Sequence, residues 1–515
     1  MKTDSFLRGA FVLTAAAIFV KLLGACYRIP FTRMVGSEGI GLYQMAYPLY
    51  TTLLALSSAG IPVAVSFLVA ERGAVGDRRG ARRILWVSLL FLFSTGLLLA
   101  LSLFLGAPYL AREVLGDPRA CYSLAAVAPA VLVISVVSAF RGYFQGWGVM
   151  WPTALSEVLE QVIRVATVLL AASALISRGV EFAAAGAAFG AVTGGCAGLL
   201  VLVLIFGRFE RSRPLLKGPG RSGFLLGDGL KILKRLLVYA FPISAASAVF
   251  PLMQAIDTVI IPNRLQAAGF SVQEATSLFG QLAGMAGTIV YLPAVFTVSV
   301  AMSLVPHLAA AVSRGSRLEV RRRIGAALRI TVIFCLPAAA GLCVLATPIM
   351  ELLFNEPGAG PVTAWLAPAA LFAGLQQTTA GALQGIGNTW LPVVNLLAGC
   401  LVKIACNYYL TVLPGFGIKG AALGSSLGFF LVFLLNFWFL SLFTGYRLQP
   451  DCLLRPLLAA TIMVAALPGI YNLFYHLGNA AATGAAVLGG AALYFAVLFL
   501  TGEIRVYEVR RILKR

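Results

Sequence analysis

Two stretches of the chain place fixed charge inside what would otherwise be uninterrupted apolar helix. From Ala139 to Arg164 the sequence reads AFRGYFQGWGVMWPTALSEVLEQVIR, a glycine-rich turn followed by an apolar helix carrying Glu157, Glu160 and Arg164. From Thr378 to Lys403 it reads TTAGALQGIGNTWLPVVNLLAGCLVK. The two align without a gap. Gly142, Gln145, Gly146, Gly148 and Trp151 fall on Gly381, Gln384, Gly385, Gly387 and Trp390, and Arg164 falls on Lys403. Charge in the middle of a membrane helix costs roughly 2.5–3.5 kcal/mol or more, so such residues usually face a polar cavity and serve it. Arg164 also has a plainer reading, an i, i+4 ion pair with Glu160. Lys403 has no acidic residue within a helical turn.

The other ionisable residues at membrane depth are few. Lys21 and Arg28 lie in the first apolar run and Asp257 in the seventh, with Gln44, Gln254, Gln376, Gln377, Asn395, Asn407 and Asn436 adding neutral polarity. Arg28, Arg164 and Lys403 against Glu157, Glu160 and Asp257 imply a cavity with a balanced or positive field. Such a field suits an anionic headgroup, above all a phosphate or diphosphate, to which arginine offers a bidentate fork. A low dielectric around the cleft would strengthen that attraction. Asp257 is open to two readings, a site for a coupling cation or proton and a structural pair with Lys403. No catalytic constellation is visible: there is no nucleotide-binding glycine loop, no HExxH and no nucleophile elbow. The expectation is a non-enzyme with no cofactor and no bound metal.

The elements that must position these groups are membrane helices. The 515 residues are 60% hydrophobic and 11% charged, a balance that fits a polytopic membrane protein and excludes an ordinary water-soluble domain. Runs of about 20 apolar residues recur about fourteen times. The net charge of +20 does not point to nucleic acid, because the lysines and arginines lie in short loops between the runs and no zinc spacing or basic aromatic strand accompanies them. They point to topology and to anionic lipid headgroups. Every alternate loop is basic, which predicts cytoplasmic termini. The eight cysteines form no CxxC pair and read as packing residues.

The repeat extends beyond the opening stretches. Gly186-Ala187-Ala188-Phe189-Gly190 and Gly194 match Gly420-Ala421-Ala422-Leu423-Gly424 and Gly428, and Ile29-Pro30 closes the first run as Ile261-Pro262 closes the seventh. A period of roughly 235 residues, or six helices, relates two lobes by an axis along the membrane normal. The expected organisation is an all-α membrane protein with an N-lobe at 1–207, a basic cytoplasmic linker at 208–235, a C-lobe at 236–445, and two further helices with a basic tail at 446–515. Two such lobes around a cleft are the architecture of an alternating-access transporter.

The segments YRIPFTRMVGSEGIGLYQMAYPLY (Tyr27 to Tyr50), LSSAGIPVAVS (Leu56 to Ser66) and FRGYFQGWGVMWPTALSEVLEQVIR resemble the stage V sporulation protein B branch of the polysaccharide-transporter family. That family lies within the superfamily of multidrug and toxin extruders, oligosaccharidyl-lipid flippases and MurJ-type lipid II flippases. The resemblance implies a fourteen-helix fold in the bacterial cytoplasmic membrane. It also implies translocation of an undecaprenyl-diphosphate-linked sugar, a peptidoglycan precursor such as lipid II, with cell-wall synthesis proteins as partners. In MurJ-like relatives arginines of the first spans bind the diphosphate, which assigns that role to Arg28 and Arg33. Relatives with a sodium site use an acid on the seventh span with Asn and Asp on the eleventh, which Asp257 and Asn407 match. Lys403, one turn before Asn407, argues against sodium there, so a proton or the membrane potential is the better coupling expectation.

Three other readings stand beside the flippase. A multidrug or cation antiporter of the same superfamily should show a cavity rich in acids. A membrane glycosyltransferase or polymerase should show a large outer loop, and no loop exceeds about thirty residues. A non-transporting sporulation or cell-wall scaffold would keep the fold with an inactive cavity.

Overall fold

Long apolar runs with glycine and alanine at helical spacing leave the backbone one way to satisfy its polar groups in lipid, the helix. The computed structural model describes residues 2–211, 226–447 and 451–503, and in them every regular element is helical. The helices gather into two units, Met1–Asn263 with Val272–Gly280, and Arg264–Ser271 with Gln281–Arg515.

The first unit holds α1 (Lys2–Cys26), α2 (Arg28–Ser58), α3 (Ile61–Ala74), α4 (Arg78–Tyr109), α5 (Ala120–Gly146), α6 (Trp151–Leu175), α7 (Val180–Arg211), most of α8 (Leu226–Ala267), and α9 (Val272–Phe279). The second holds α10 (Gly287–Val290), α11 (Leu292–Ser313), α12 (Arg317–Val344), α13 (Ala346–Phe354), α14 (Gly360–Leu366), α15 (Pro368–Gly385), α16 (Leu391–Leu410), α17 (Ile418–Thr444), α18 (Asp451–Phe474) and α19 (Asn479–Leu500). The seventh expected span, 236–261, lies in α8 and so within the first unit.

Among the described residues eleven helices are long and apolar enough to cross a membrane, or up to thirteen if each of two bent pairs is one span. The run Val12–Ala74 counts once in that tally but is 63 residues long, about three bilayer cores of helix. It is broken at Gly36, whose φ of 69° and ψ of −175° no helix contains. Counted as two crossings, it brings the total to the expected fourteen or so.

The breaks have identifiable causes. Only glycine adopts the Gly36 conformation without strain, and the chain doubles back there. The Tyr27 and Tyr43 hydroxyls lie 3.3 Å apart and the Phe31 ring sits edge-on to Tyr43 at 5.4 Å. A bend of 47° separates Gly229–Ala245 from Ser247–Ala267, between Pro242 and Pro251, each of which removes a backbone hydrogen bond from α8. A bend of 41° falls at Ala367, immediately before Pro368. The expected helix ends at Pro30 and Pro262 are corrected. Pro30 stands in the first turn of α2, where its missing N–H costs nothing, and α8 continues to Ala267. Residues 212–225 of the expected linker, with Arg213, Lys217 and Arg221, and residues 504–515 of the expected tail lie outside the described residues.

Each unit contains the same helix packing. A methyl group placed on Gly142 or Gly146 of α5 would lie 2.7 Å from a carbonyl oxygen of α3, Pro62 and Ser66 respectively. On Gly381 and Gly385 of α15 it would lie 2.8 Å from Ala301 Cβ and 3.1 Å from Val305 O of α11. The turns that follow match bond for bond. Gly148 and Gly387 both take positive φ, 70° and 97°. Gly148 donates to Gln145 O at 2.9 Å and Gly387 to Gln384 O at 3.0 Å, and the next residues, Val149 and Asn388, donate to Phe144 O and Leu383 O. The repeat read in the sequence is therefore a repeat of backbone geometry.

Candidate functional site

Glu157, Glu160 and Arg164 occupy positions i, i+3 and i+7 of α6 and so share a face. Two neighbours frame that face. The first is α7, whose small residues let it approach closely: a methyl on Gly194 would sit 3.0 Å from Arg164 Cβ and one on Gly198 would sit 3.7 Å from a Glu160 carboxylate oxygen. The second is the end of α5, which delivers Arg141. Arg141 donates from Nη2 to Glu160 at 2.9 Å and from Nε to the Ser156 hydroxyl at 3.1 Å. Arg164 donates from Nη2 to the other Glu160 oxygen at 2.5 Å. One carboxylate thus bridges two guanidiniums, all three side chains being at least four-fifths buried. Glu157, half-buried, lies within electrostatic reach of Arg141 and Glu160.

A ladder of tyrosines from α2 completes the cluster. Tyr43 and Tyr47 stack at 5.6 Å with 22° between their planes, and Tyr47 meets Tyr50 at 5.7 Å. Arg164 interacts electrostatically with all three. Arg28, brought back by the reversal at Gly36, interacts with Tyr27, Tyr43 and Tyr47. The first unit therefore assembles three arginines, two glutamates and a run of phenols. The surplus of one positive charge is held among hydrogen-bonding groups, and the Arg164 Nε has no hydrogen-bond partner among the described residues.

The other expected site residues fall elsewhere. Arg33 is exposed, three residues before Gly36. Gln254 and Asp257 sit half-buried on α8, in the first unit. Lys403 and Asn407 belong to the second unit on α16, 6% and 0% exposed. Lys403 reproduces the environment of Arg164: a methyl on Gly428 of α17 would lie 3.1 Å from Lys403 Cβ, as one on Gly194 does from Arg164. The acids are not reproduced. The positions of Arg141, Glu157 and Glu160 are Ala380, Leu396 and Gly399 in the second half, so the bridged charge cluster belongs to the first unit alone.

Two features escaped the sequence reading. Arg141 falls one residue beyond the fourth apolar run of the sequence, 121–140, whereas α5 runs on to Gly146. The tyrosines at 43, 47 and 50 have the i, i+4, i+7 spacing of an ordinary packed stripe, and nothing in that spacing says that arginines will approach it.

The first unit also holds a polar cluster near its chain reversals. Asp117, fully buried, accepts from Thr276 of α9 at 2.7 Å and from Arg119 at 3.0 and 2.8 Å, and Arg119 also contacts Glu38. The hydrogen bond to Asp117 raises the Arg119 guanidinium further above its usual range, against some loss from burial, and Glu38 adds to the rise. Beside it the Ser37 and Ser277 hydroxyls are 2.7 Å apart. In the second unit α10, α11, α12, α18 and α19 enclose an apolar groove of about 370 Å³, whose lining includes Leu292, Ile333, Met463, Leu467 and Phe495.

Residues 6–312 match the family model described as polysaccharide biosynthesis protein. The chain belongs to this family. Within the polysaccharide biosynthesis family it is 30% identical to stage V sporulation protein B of Bacillus subtilis (strain 168), over 99% of this chain and 98% of that protein. It is 28% identical to the lipid II flippase MurJ of the same organism, over 86% of this chain and 84% of that protein. Among solved structures, lipid II flippase MurJ in an inward closed conformation superposes with a TM-score of 0.68 at 16% identity, covering 95% of this chain and all of that one. An inward-facing multidrug resistance MATE family transporter of the MOP superfamily superposes with a TM-score of 0.69 at 17% identity, covering 85% and 98%. The fold is that of these multi-pass membrane transporters.

Proposed function

We propose that this chain is a flippase that carries an undecaprenyl-diphosphate-linked saccharide, a peptidoglycan precursor of the lipid II kind, from the cytoplasmic to the outer leaflet by alternating access. The observation that carries the reading is the cluster of the first unit, in which Arg141 and Arg164 bond Glu160 and Arg28 interacts with Tyr43 and Tyr47, which Arg164 also reaches. Three guanidiniums against two carboxylates, out of bulk water, favour a ligand that brings concentrated negative charge, and a diphosphate offers acceptor oxygens matched to the arginine fork. Glu160 keeps the cluster from being a stranded positive charge when no ligand is bound, which lowers the cost of holding it there. A diphosphate would take over part of that neutralisation as it enters. The relative named as a lipid II flippase supports the same cargo, and the largely apolar groove of the second unit suits a polyprenyl tail. Asp257 and the membrane potential are the proposed means of coupling. Both termini are proposed to be cytoplasmic, on the bias of basic loops.

The antiporter reading fits this cluster less well, because an exported organic cation would meet a surplus of arginine. The test is reconstitution of the whole chain in liposomes with fluorescently labelled lipid-linked disaccharide precursor. Transfer between leaflets should be protein-dependent, and Arg28→Ala and Arg164→Ala should each slow it at least tenfold. Unchanged transfer in both variants, or uptake of organic cations in place of lipid transfer, would overturn the proposal.

A further inference from the structure

We propose that Tyr47 is the saccharide subsite of the arginine cluster, a sugar ring of the cargo resting against it while Arg28 and Arg164 hold the adjoining phosphates. The proposal rests on the flippase reading and extends it from the phosphates to the sugar. Of the three tyrosines on this face of α2, Tyr43 and Tyr50 are buried, and Tyr47 between them keeps part of its surface. Its neighbours brace it, Tyr43 stacked at 5.6 Å and Tyr50 tilted against it at 5.7 Å. A ring ordered in advance gives contact area at little entropic cost on binding.

The placement of charge is the second observation. Arg28 arrives from the segment before Gly36 and Arg164 from α6, and both lie within electrostatic reach of the Tyr47 hydroxyl. A phosphate gripped by either guanidinium leaves the next group of the ligand beside the tyrosine. A sugar ring has an apolar C–H face that packs on an aromatic ring and hydroxyls that bond to its polar edge, and tyrosine provides both. Core packing accounts for Tyr43 and Tyr50. It does not account for the partly exposed ring being the middle one, flanked by two cations.

The experiment compares two probes on the purified full chain in lipid nanodiscs, polyprenyl diphosphate and the same lipid carrying one N-acetylhexosamine. The wild-type protein should bind the glycosylated probe more tightly. Tyr47→Leu should weaken the glycosylated probe about tenfold more than the bare diphosphate, while Tyr47→Phe should keep most of the difference. Arg28→Ala should weaken both probes, which separates loss of the phosphate grip from loss of the sugar contact. Equal affinity of Tyr47→Leu and wild type for the glycosylated probe, or an equal loss on both probes, would overturn the subsite. Binding of neither probe by the wild type would overturn the flippase reading and the subsite with it. Should Tyr47→Leu fail to fold, Tyr47→Met, a flexible apolar side chain with no ring, takes its place with the same criteria.

Discussion

Glu160 is the residue on which the cluster turns. It accepts from both Arg141 and Arg164, so its replacement strands two buried cations at once. Breaking a buried pair by removing one partner costs about 3–5 kcal/mol. Glu160→Gln is therefore expected to lower thermal stability in detergent by several degrees. Arg141→Ala should cost less in the Glu160→Gln background than alone, and a double-mutant cycle measures the difference. Additive losses would show that the bridge carries no coupling. Arg164→Lys keeps the charge and loses the fork, so it should insert normally and transport poorly. At this scale the sequence showed Arg164 and Glu160, because charge at i, i+4 in an apolar helix is conspicuous. It concealed Arg141, because a cation at a misplaced helix end reads as a loop residue. It concealed the tyrosines, because an aromatic stripe at helical spacing reads as core.

The helices supply the precision. Gly142 and Gly381 each permit the same close crossing in their own unit, α3 on α5 and α11 on α15. Gly142→Val and Gly381→Val should each reduce stability by about 1–3 kcal/mol through overpacking, read as a lower melting temperature of the detergent-solubilised protein. Gly142→Val should also lower transport, because α5 carries Arg141. The small-residue crossings were legible from the repeat. The reversal at Gly36 was not, since one glycine within an apolar run carries no sign of its torsion angles, yet it is what returns Arg28 to the tyrosines. A further prediction concerns α9. Ser37 and Ser277 stand hydroxyl to hydroxyl at 2.7 Å beside the Asp117–Thr276 bond. A Ser37→Cys, Ser277→Cys pair should cross-link readily under mild oxidation, and Asp117→Asn should reduce the yield. No cross-link in membranes would mean that α9 does not rest on α2 in the resident state.

For the whole molecule the account predicts an inside location for both chain ends. Cysteine placed at residue 2 or residue 515 should resist impermeant thiol reagents in intact cells and react after permeabilisation. Labelling from outside would reverse the orientation. The membrane potential acts on fixed charge at about 2.3 kcal/mol per charge per 100 mV, so under the proposed function a surplus cation moving through part of the field should make lipid transfer voltage-sensitive, measurable with a potassium diffusion potential. Architecture was the most legible level. Hydropathy and a repeat that recurs bond for bond at Gly148 and Gly387 both specify it. The difference between the halves was legible only in part: the sequence shows no acid within a turn of Lys403, but not that Arg141 reaches Glu160 in the first half.

The most direct measurement of the central claim is the affinity of the purified protein for polyprenyl diphosphate against polyprenyl monophosphate, in wild type, Arg28→Ala and Arg164→Ala. The account predicts that the wild type prefers the diphosphate, and that each variant loses about ten- to a hundredfold of affinity for it while the two lipids become nearly equivalent. Undiminished diphosphate preference in both folded variants would contradict it.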